Sequence, residues 1–134
     1  MSAPRLELGD EEWRARLSPE SYEVLRNGAT EPAWSGEYLH VDEEGIFHCA
    51  GCGTPLFSTG AKFDSGSGWP SFDRAITAGT VEERPDHSHG MVRTEIACAA
   101  CGGHLGHVFP DGPTETGRRY CVNSLAIELE TGAG

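Results

Sequence analysis

Basic residues are scarce in this chain. Ten lysines and arginines stand against 21 acids, giving a formal net charge of −11 over 134 residues. A polyanion such as nucleic acid would be repelled over most of such a surface. Long apolar runs are missing as well. No stretch approaches the ~18 residues of a membrane span, and the opening "MSAPRLELGDEEW" contains no apolar segment that could serve as a secretory signal. The expectation is a cytoplasmic protein. There thiols stay reduced, and a C-x-x-C pair means metal or redox chemistry rather than a structural disulfide. Hydrophobic residues make up only 37% of the chain, so a modest core would gain from a staple.

Turn formers are plentiful, with 18 glycines and 8 prolines, which points to a mainly β domain rather than a helical bundle. The length suits a single domain over residues 1–134, with an N-terminal helical arm at about 10–28 and a β body at about 36–129. In "GDEEWRARLSPESYEVLRNG", Asp10 can cap a first short helix whose Trp13 and Leu17 share a face. Ser18-Pro19-Glu20 restarts the helix, Tyr22 and Leu25 form its apolar edge, and Asn27-Gly28 stops it. Beyond Gly36 the pattern changes to short strands. "EYLHVD" and "GIFHCA" flank Glu43-Glu44-Gly45 as a hairpin. "TVEER", "GMVRTEIA", "GHLGHVF", "RRYCVN" and "LAIELE" follow, and in the last Leu125, Ile127 and Leu129 alternate as on a half-buried antiparallel strand. Helical segments between these strands are lacking, which argues against a parallel sheet.

Cysteine is used sparingly and in pattern. "CAGCGTPL" (49–56) and "CAACGGHL" (98–105) repeat Cys-Ala-x-Cys-Gly-x-x-Leu. Each spacing turns two sulfurs toward one point, and the glycine after the second cysteine permits a left-handed backbone. Cys49, Cys52, Cys98 and Cys101 together offer the closed four-sulfur set of one structural Zn2+. Two independent redox dithiols are the alternative, although neither pair sits in the strand-to-helix turn of a thioredoxin-like motif.

That leaves Cys121, in "RRYCVNS". A lone free cysteine is often just a small buried hydrophobe. Here Arg118 and Arg119 precede it, and strand alternation lets one of them share its face. Asn123 lies two residues on, toward the same face. "GHLGHVFPDGP" supplies His104 and His107, whose odd spacing in a regular strand places them on opposite faces unless Gly106 bends the chain. Thiol, histidine and amide make a plausible nucleophilic site.

At this point the sequence resembles a known family. "SGEY", "F-x-C-x-x-C-G", "KFDSG-x-GWPSF", "RTEI-x-C-x-x-C", "HLGHVFPDGP" and "RYCVNS" occur in the order seen in the B-type methionine sulfoxide reductases, from about Leu17 to Glu128. The resemblance implies a tent-like or barrel arrangement of two antiparallel sheets, with N-terminal helices and a zinc-holding end. It implies reduction of the R epimer of methionine sulfoxide, chiefly within proteins. Carried onto these motifs, it makes Cys121 the nucleophile and Trp69 a pocket wall for the substrate's S-methyl group. His104, His107 and Asn123 become polar members of the site, His107 being the first choice for handling a proton. Phe109 and Arg119 join Trp69 in contacting substrate.

One absence departs from that family. Many members carry a resolving cysteine just before "GWPSF", where this chain has Ser67. A hydroxyl cannot form a disulfide, so recycling falls to an external thiol such as thioredoxin, glutaredoxin or a small thiol. The other route sacrifices a zinc cysteine and dismantles the closed site. His87 and His89 in "PDHSHGM" read as a solvated loop. The rival of a different class is a zinc-stapled β binding module with Cys121 inert. A monomer is expected, because no long apolar edge or heptad appears.

Overall fold

The structure is a computed structural model and describes residues 9–41, 43–77, 79–87, 90 and 92–131. Helix α1 (Asp10–Arg16) starts after Gly9 rather than at a side-chain cap. Asp10 is not the cap predicted from sequence. It lies inside the first turn, where its carboxylate accepts hydrogen bonds from the Tyr22 hydroxyl and from Arg14 (2.9 Å). Helix α2 (Pro19–Asn27) begins as expected, with Ser18 Oγ accepting from the Ser21 amide, and ends at a left-handed Gly28. Trp13, Tyr22, Val24 and Leu25 form the buried side of the pair. Among the described residues no helix is long and apolar enough to cross a membrane.

Two antiparallel sheets make up the body. The smaller has the order β2–β1–β9, formed by β1 (Gly45–Cys49), β2 (Pro55–Ser58) and β9 (Ile127–Thr131). The larger runs β3–β4–β8–β7–β6–β5. Its strands are β3 (Lys62–Phe63), β4 (Ser71–Phe72), β5 (Val81–Asp86), β6 (Arg93–Cys98), β7 (His104–Phe109) and β8 (Arg119–Val122). Pro85 is tolerated because β5 is an edge strand that pairs only with β6.

The expected hairpin around Glu43-Glu44-Gly45 does not form. Strand β1 instead pairs with β2 on one side, across the first cysteine knuckle, and with β9 on the other. Both edges of β1 are taken, so residues 37–41 of "EYLHVD" have no strand to join. They form turns whose polar groups are met singly: Tyr38 donates its amide to Ser124 Oγ at 3.2 Å, and Leu39 O accepts from Lys62 Nζ at 2.7 Å. Strand "LAIELE" also starts late. Ser124–Ala126 is a 3-10 turn, and the strand opens at Ile127.

The sheets meet through aromatic rings. Phe72 of β4 stacks on Phe57 of β2 at 4.5 Å and meets Phe47 of β1 edge-on at 5.3 Å. All three phenylalanines are fully buried, as are Ile96, Leu105 and Val122. Such ring pairs are worth roughly 0.5–1.5 kcal/mol each beyond the area they bury. The helices cap the knuckle end, where Arg26 donates to Cys101 O at 3.0 Å and lies over the Trp13 ring at 4.5 Å.

Candidate active site

Sheet register lines up one row of side chains. Across β4, β8, β7 and β6, Ser71 is opposite Cys121, Cys121 opposite His107, and His107 opposite Glu95. Cys121 therefore sits in the interior of the sheet and is only 9% exposed. A cavity of about 120 Å³ opens over it, lined by Thr30, Trp69, Arg93, Gly106, His107, Phe109, Arg119, Cys121 and Asn123.

Alternation decides which arginine serves the thiol. Arg119, two residues before Cys121, brings Nη1 to 3.0 Å from its Sγ, and its guanidinium covers the Phe109 ring at 4.4 Å. Asp111 anchors the other side of that guanidinium at 2.9 and 3.1 Å, and this bond holds the Arg119 pKa above the usual value. Arg118 turns away to Glu83 at 2.6 Å.

Both histidines lie on one face despite their odd spacing. The register shifts between β6 and β7: Ile96 faces Gly106 while Ala97 faces His104, so Leu105 is the extra residue of a bulge. Gly106 beside it has no room for a side chain, because a Cβ there would run into the Cys121 carbonyl oxygen. The two rings meet edge-on with centroids 5.6 Å apart. They stand differently, however. His107 lines the cavity and bonds Asp86 Oδ2 through Nε2 at 2.7 Å. Burial pushes the His107 pKa down, partly opposed by its bond to Asp86 and aided by the charges of Arg93 and His104. His104 is behind it, outside the cavity wall, with Nδ1 2.6 Å from Glu95 Oε2 and Nε2 buried without a partner among the described residues.

Asn123 lines the cavity, but its amide is committed to the main chain: Nδ2 donates to Leu105 O at 3.0 Å, and Oδ1 accepts from the Glu31 amide at 3.0 Å. Trp69 forms another wall, its indole Nε1 donating to Glu31 O at 3.0 Å. Opposite the histidines is a group of hydroxyls. Ser71 and Ser67 bring Oγ to 3.6 and 3.7 Å from Cys121 Sγ, and Ser65 lies 2.7 Å from both. Sequence reasoning missed Thr30, Ser71, Asp86, Arg93 and Glu95. Within the sequence the two-residue period of the strands could have hinted at the last four, without saying which strands are neighbours, and Thr30, outside any strand, carries no such signal. His87 is described but joins neither the cavity nor the thiol cluster, and His89 lies outside the described residues.

The four remaining cysteines converge in a separate cluster, none of them lining the cavity. Their sulfurs lie within 4.8 Å of one another, with Cys49–Cys101 at 3.7 Å and Cys52–Cys98 at 3.6 Å. Metal–sulfur bonds of ~2.3 Å in a tetrahedron give edges of ~3.8 Å, so the spacing fits one tetrahedral ion. Gly53 and Gly102 adopt the left-handed backbone expected of them (φ 82° and 76°). Hydrogen bonding to Cys101 and the other thiols, with burial behind it, pushes the Cys49 thiol far up, while bonds to Cys101 and Cys49 pull Cys52 down. A cation at the centre would favour the thiolate form of all four. The short contacts run between the two knuckles, so the four thiols form one cluster rather than two independent dithiols.

Comparison with known proteins adds a separate line of support. The SelR domain family model matches residues 17–131. The chain is 58% identical over 120 residues to the peptide methionine sulfoxide reductase MsrB of Thiobacillus denitrificans, covering 90% of this chain and 91% of that protein. It is 59% identical over 121 residues to the protein of the same name from Bradyrhizobium diazoefficiens, covering 90% and 87%. The chain belongs to the SelR domain family, that of the B-type methionine sulfoxide reductases.

Proposed function

We propose that this chain reduces the R epimer of methionine sulfoxide, chiefly peptide-bound, with Cys121 as nucleophile. The observation that carries this reading is the 3.0 Å contact between Arg119 Nη1 and Cys121 Sγ, in the wall of a cavity shared with His107, Trp69 and Phe109. A charge-assisted bond of that kind supports a thiolate, and after reaction a sulfenate, at the same sulfur.

Trp69 and Phe109 offer apolar surface to the S-methyl group, while the sulfoxide oxygen faces the polar side of the cavity. The thiolate attacks the sulfoxide sulfur, the oxygen takes up a proton, and the substrate's S–O bond breaks. Oxygen ends on Cys121 as sulfenic acid; the substrate sulfur gains two electrons and the cysteine sulfur loses two. His107 handles the proton. Held low by burial, it gives that proton up readily once charged. Asp86 holds its Nε2, so exchange with the cavity falls to Nδ1. His104 and Asn123 support the constellation from behind, His104 through the His107 ring and Asn123 through Leu105.

Recycling is external. Ser67 Oγ lies 3.7 Å from Cys121 Sγ, where a resolving sulfur would serve, but a hydroxyl cannot complete that step. A thiol of thioredoxin, of glutaredoxin or of a small molecule attacks the sulfenic sulfur. Water leaves, and a second thiol releases Cys121 from the mixed disulfide. We assign the four-sulfur site to Zn2+, which an all-thiolate tetrahedral set suits. Closed on all four positions, it staples the fold, and no step runs through it. We read the protein as a monomeric one-domain enzyme of the cytoplasm, where its free thiols would persist.

A single-turnover reaction without reductant, on separate R and S epimers of a methionine sulfoxide peptide, tests this. One equivalent of methionine from the R epimer alone, with Cys121 as sulfenic acid by mass spectrometry, is expected. No methionine from either epimer would leave the binding-module reading in its place.

A further inference from the structure

Glu31 is a carboxylate where the fold would be expected to avoid one. It is 3% exposed, lies outside both helices and strands, and does not line the cavity. Oε1 accepts a hydrogen bond from the Leu125 amide at 2.9 Å, while Oε2 is buried without a partner among the described residues. A half-satisfied buried carboxylate is costly and calls for a reason. Space around it is tight. A Cβ on Gly36 would collide with both Glu31 Oε2 and Ser124 Oγ, so the arm closes over the carboxylate only with glycine there.

The reason lies in what its main chain does. Glu31 O accepts from the Trp69 indole at 3.0 Å, and Glu31 N donates to Asn123 Oδ1 at 3.0 Å. Thr30, its neighbour, lines the cavity directly. Three contributors to one pocket thus depend on where residue 31 stands. Its side chain fixes that place by gripping the turn that follows β8, the strand of Cys121 itself.

We infer that Glu31 is a positioning residue of the substrate pocket: its carboxylate pins the segment after α2 to Leu125, and the pinned main chain holds Trp69 and Asn123 in register with Cys121. This rests on the reading of Cys121 and Trp69 given above. Glu31 touches no reacting atom, so its loss should act on substrate capture more than on the chemical step.

Steady-state kinetics with an R-sulfoxide peptide and a saturating dithiol test it. Glu31→Ala should raise KM about tenfold with kcat changed by less than about threefold. Glu31→Gln keeps the oxygen that accepts from Leu125 and should stay within about twofold of the parent in both. Glu31→Asp, a methylene shorter, should raise KM in the same direction. It serves as the test if the alanine variant does not fold. Trp69→Phe removes the indole donor, so in that background the Glu31 substitution should raise KM by less than it does in the parent. An unchanged KM in the Ala or Asp variant, or losses that multiply independently of Trp69, would overturn the inference. A parent protein inactive on both epimers would instead defeat the functional reading, so the two failures are distinguishable.

Discussion

Cys121 has three kinds of neighbour within 4 Å or one register step: a guanidinium, a set of serine hydroxyls and an imidazole. In the proposed reaction the guanidinium and the imidazole have parts to play, and the serine side is the one open to alteration. Ser67 Oγ already stands 3.7 Å from Cys121 Sγ, so Ser67→Cys needs only a small shift to bring two sulfurs into bonding range. After one turnover without reductant, that variant should carry a disulfide between positions 67 and 121. Peptide mapping under non-reducing conditions checks it, and a persisting sulfenic acid would mean that the loop holds position 67 too rigidly. At this scale the sequence was partly legible. Cys121 stands out as the unpaired thiol, strand parity puts one of Arg118 and Arg119 on its face, the four-cysteine set follows from spacing, and Trp69 came only with the family resemblance. Asp86, Glu95 and Glu31 were not legible, since a carboxylate is commonplace in so acidic a chain and only the fold says which ones meet a histidine and which one a main-chain amide.

Among the elements, β7 decides most. Its bulge at Leu105 turns two histidines onto one face, and a strictly alternating strand would have sent one of them away. A glycine beside histidine hinted at irregularity, but the extra residue becomes visible only once β6 is known to be the partner. The hairpin predicted at 43–45 failed for a related reason: the claim of β9 on β1 comes from a segment about 80 residues later, beyond the reach of local pattern. The half-buried His107 on β7 also has a measurable signature. Its pKa in the fold lies below the ~6.5 of an unfolded chain, so the unfolded state binds more protons as pH falls through that window. This histidine therefore subtracts stability below about pH 6.5 and none well above it. Urea midpoints from pH 5 to 7.5 for the parent and His107→Asn should give a parent-minus-variant difference that rises with pH and then levels off. A flat difference would show that burial is not what holds this imidazole down.

For the whole molecule, the two sheets share a core centred on stacked rings, and the four-cysteine set at the knuckle end is placed to staple it. Metal removal should therefore act on the fold as a whole. A strong chelator is expected to lower Tm by ~10 °C or more, with activity falling in step with unfolding, and added Zn2+ should reverse both. Activity lost at full stability would instead place the metal in the chemistry. The general plan, a β body closed by sulfur, was readable from composition and spacing. How the sheets divide the strands was not, because it is settled by pairings far apart in the chain.

The contact between Arg26 and the Cys101 carbonyl carries one further consequence. It joins the helix that leads into the Glu31 segment to the main chain of the second knuckle, so the wall of the pocket is tied to the sulfur cluster through α2. Disturbance of the sulfur cluster therefore has a path through α2 and the residues after it to Glu31, Trp69 and Asn123, so whatever loosens the knuckles would be felt at the cavity as well as in the fold.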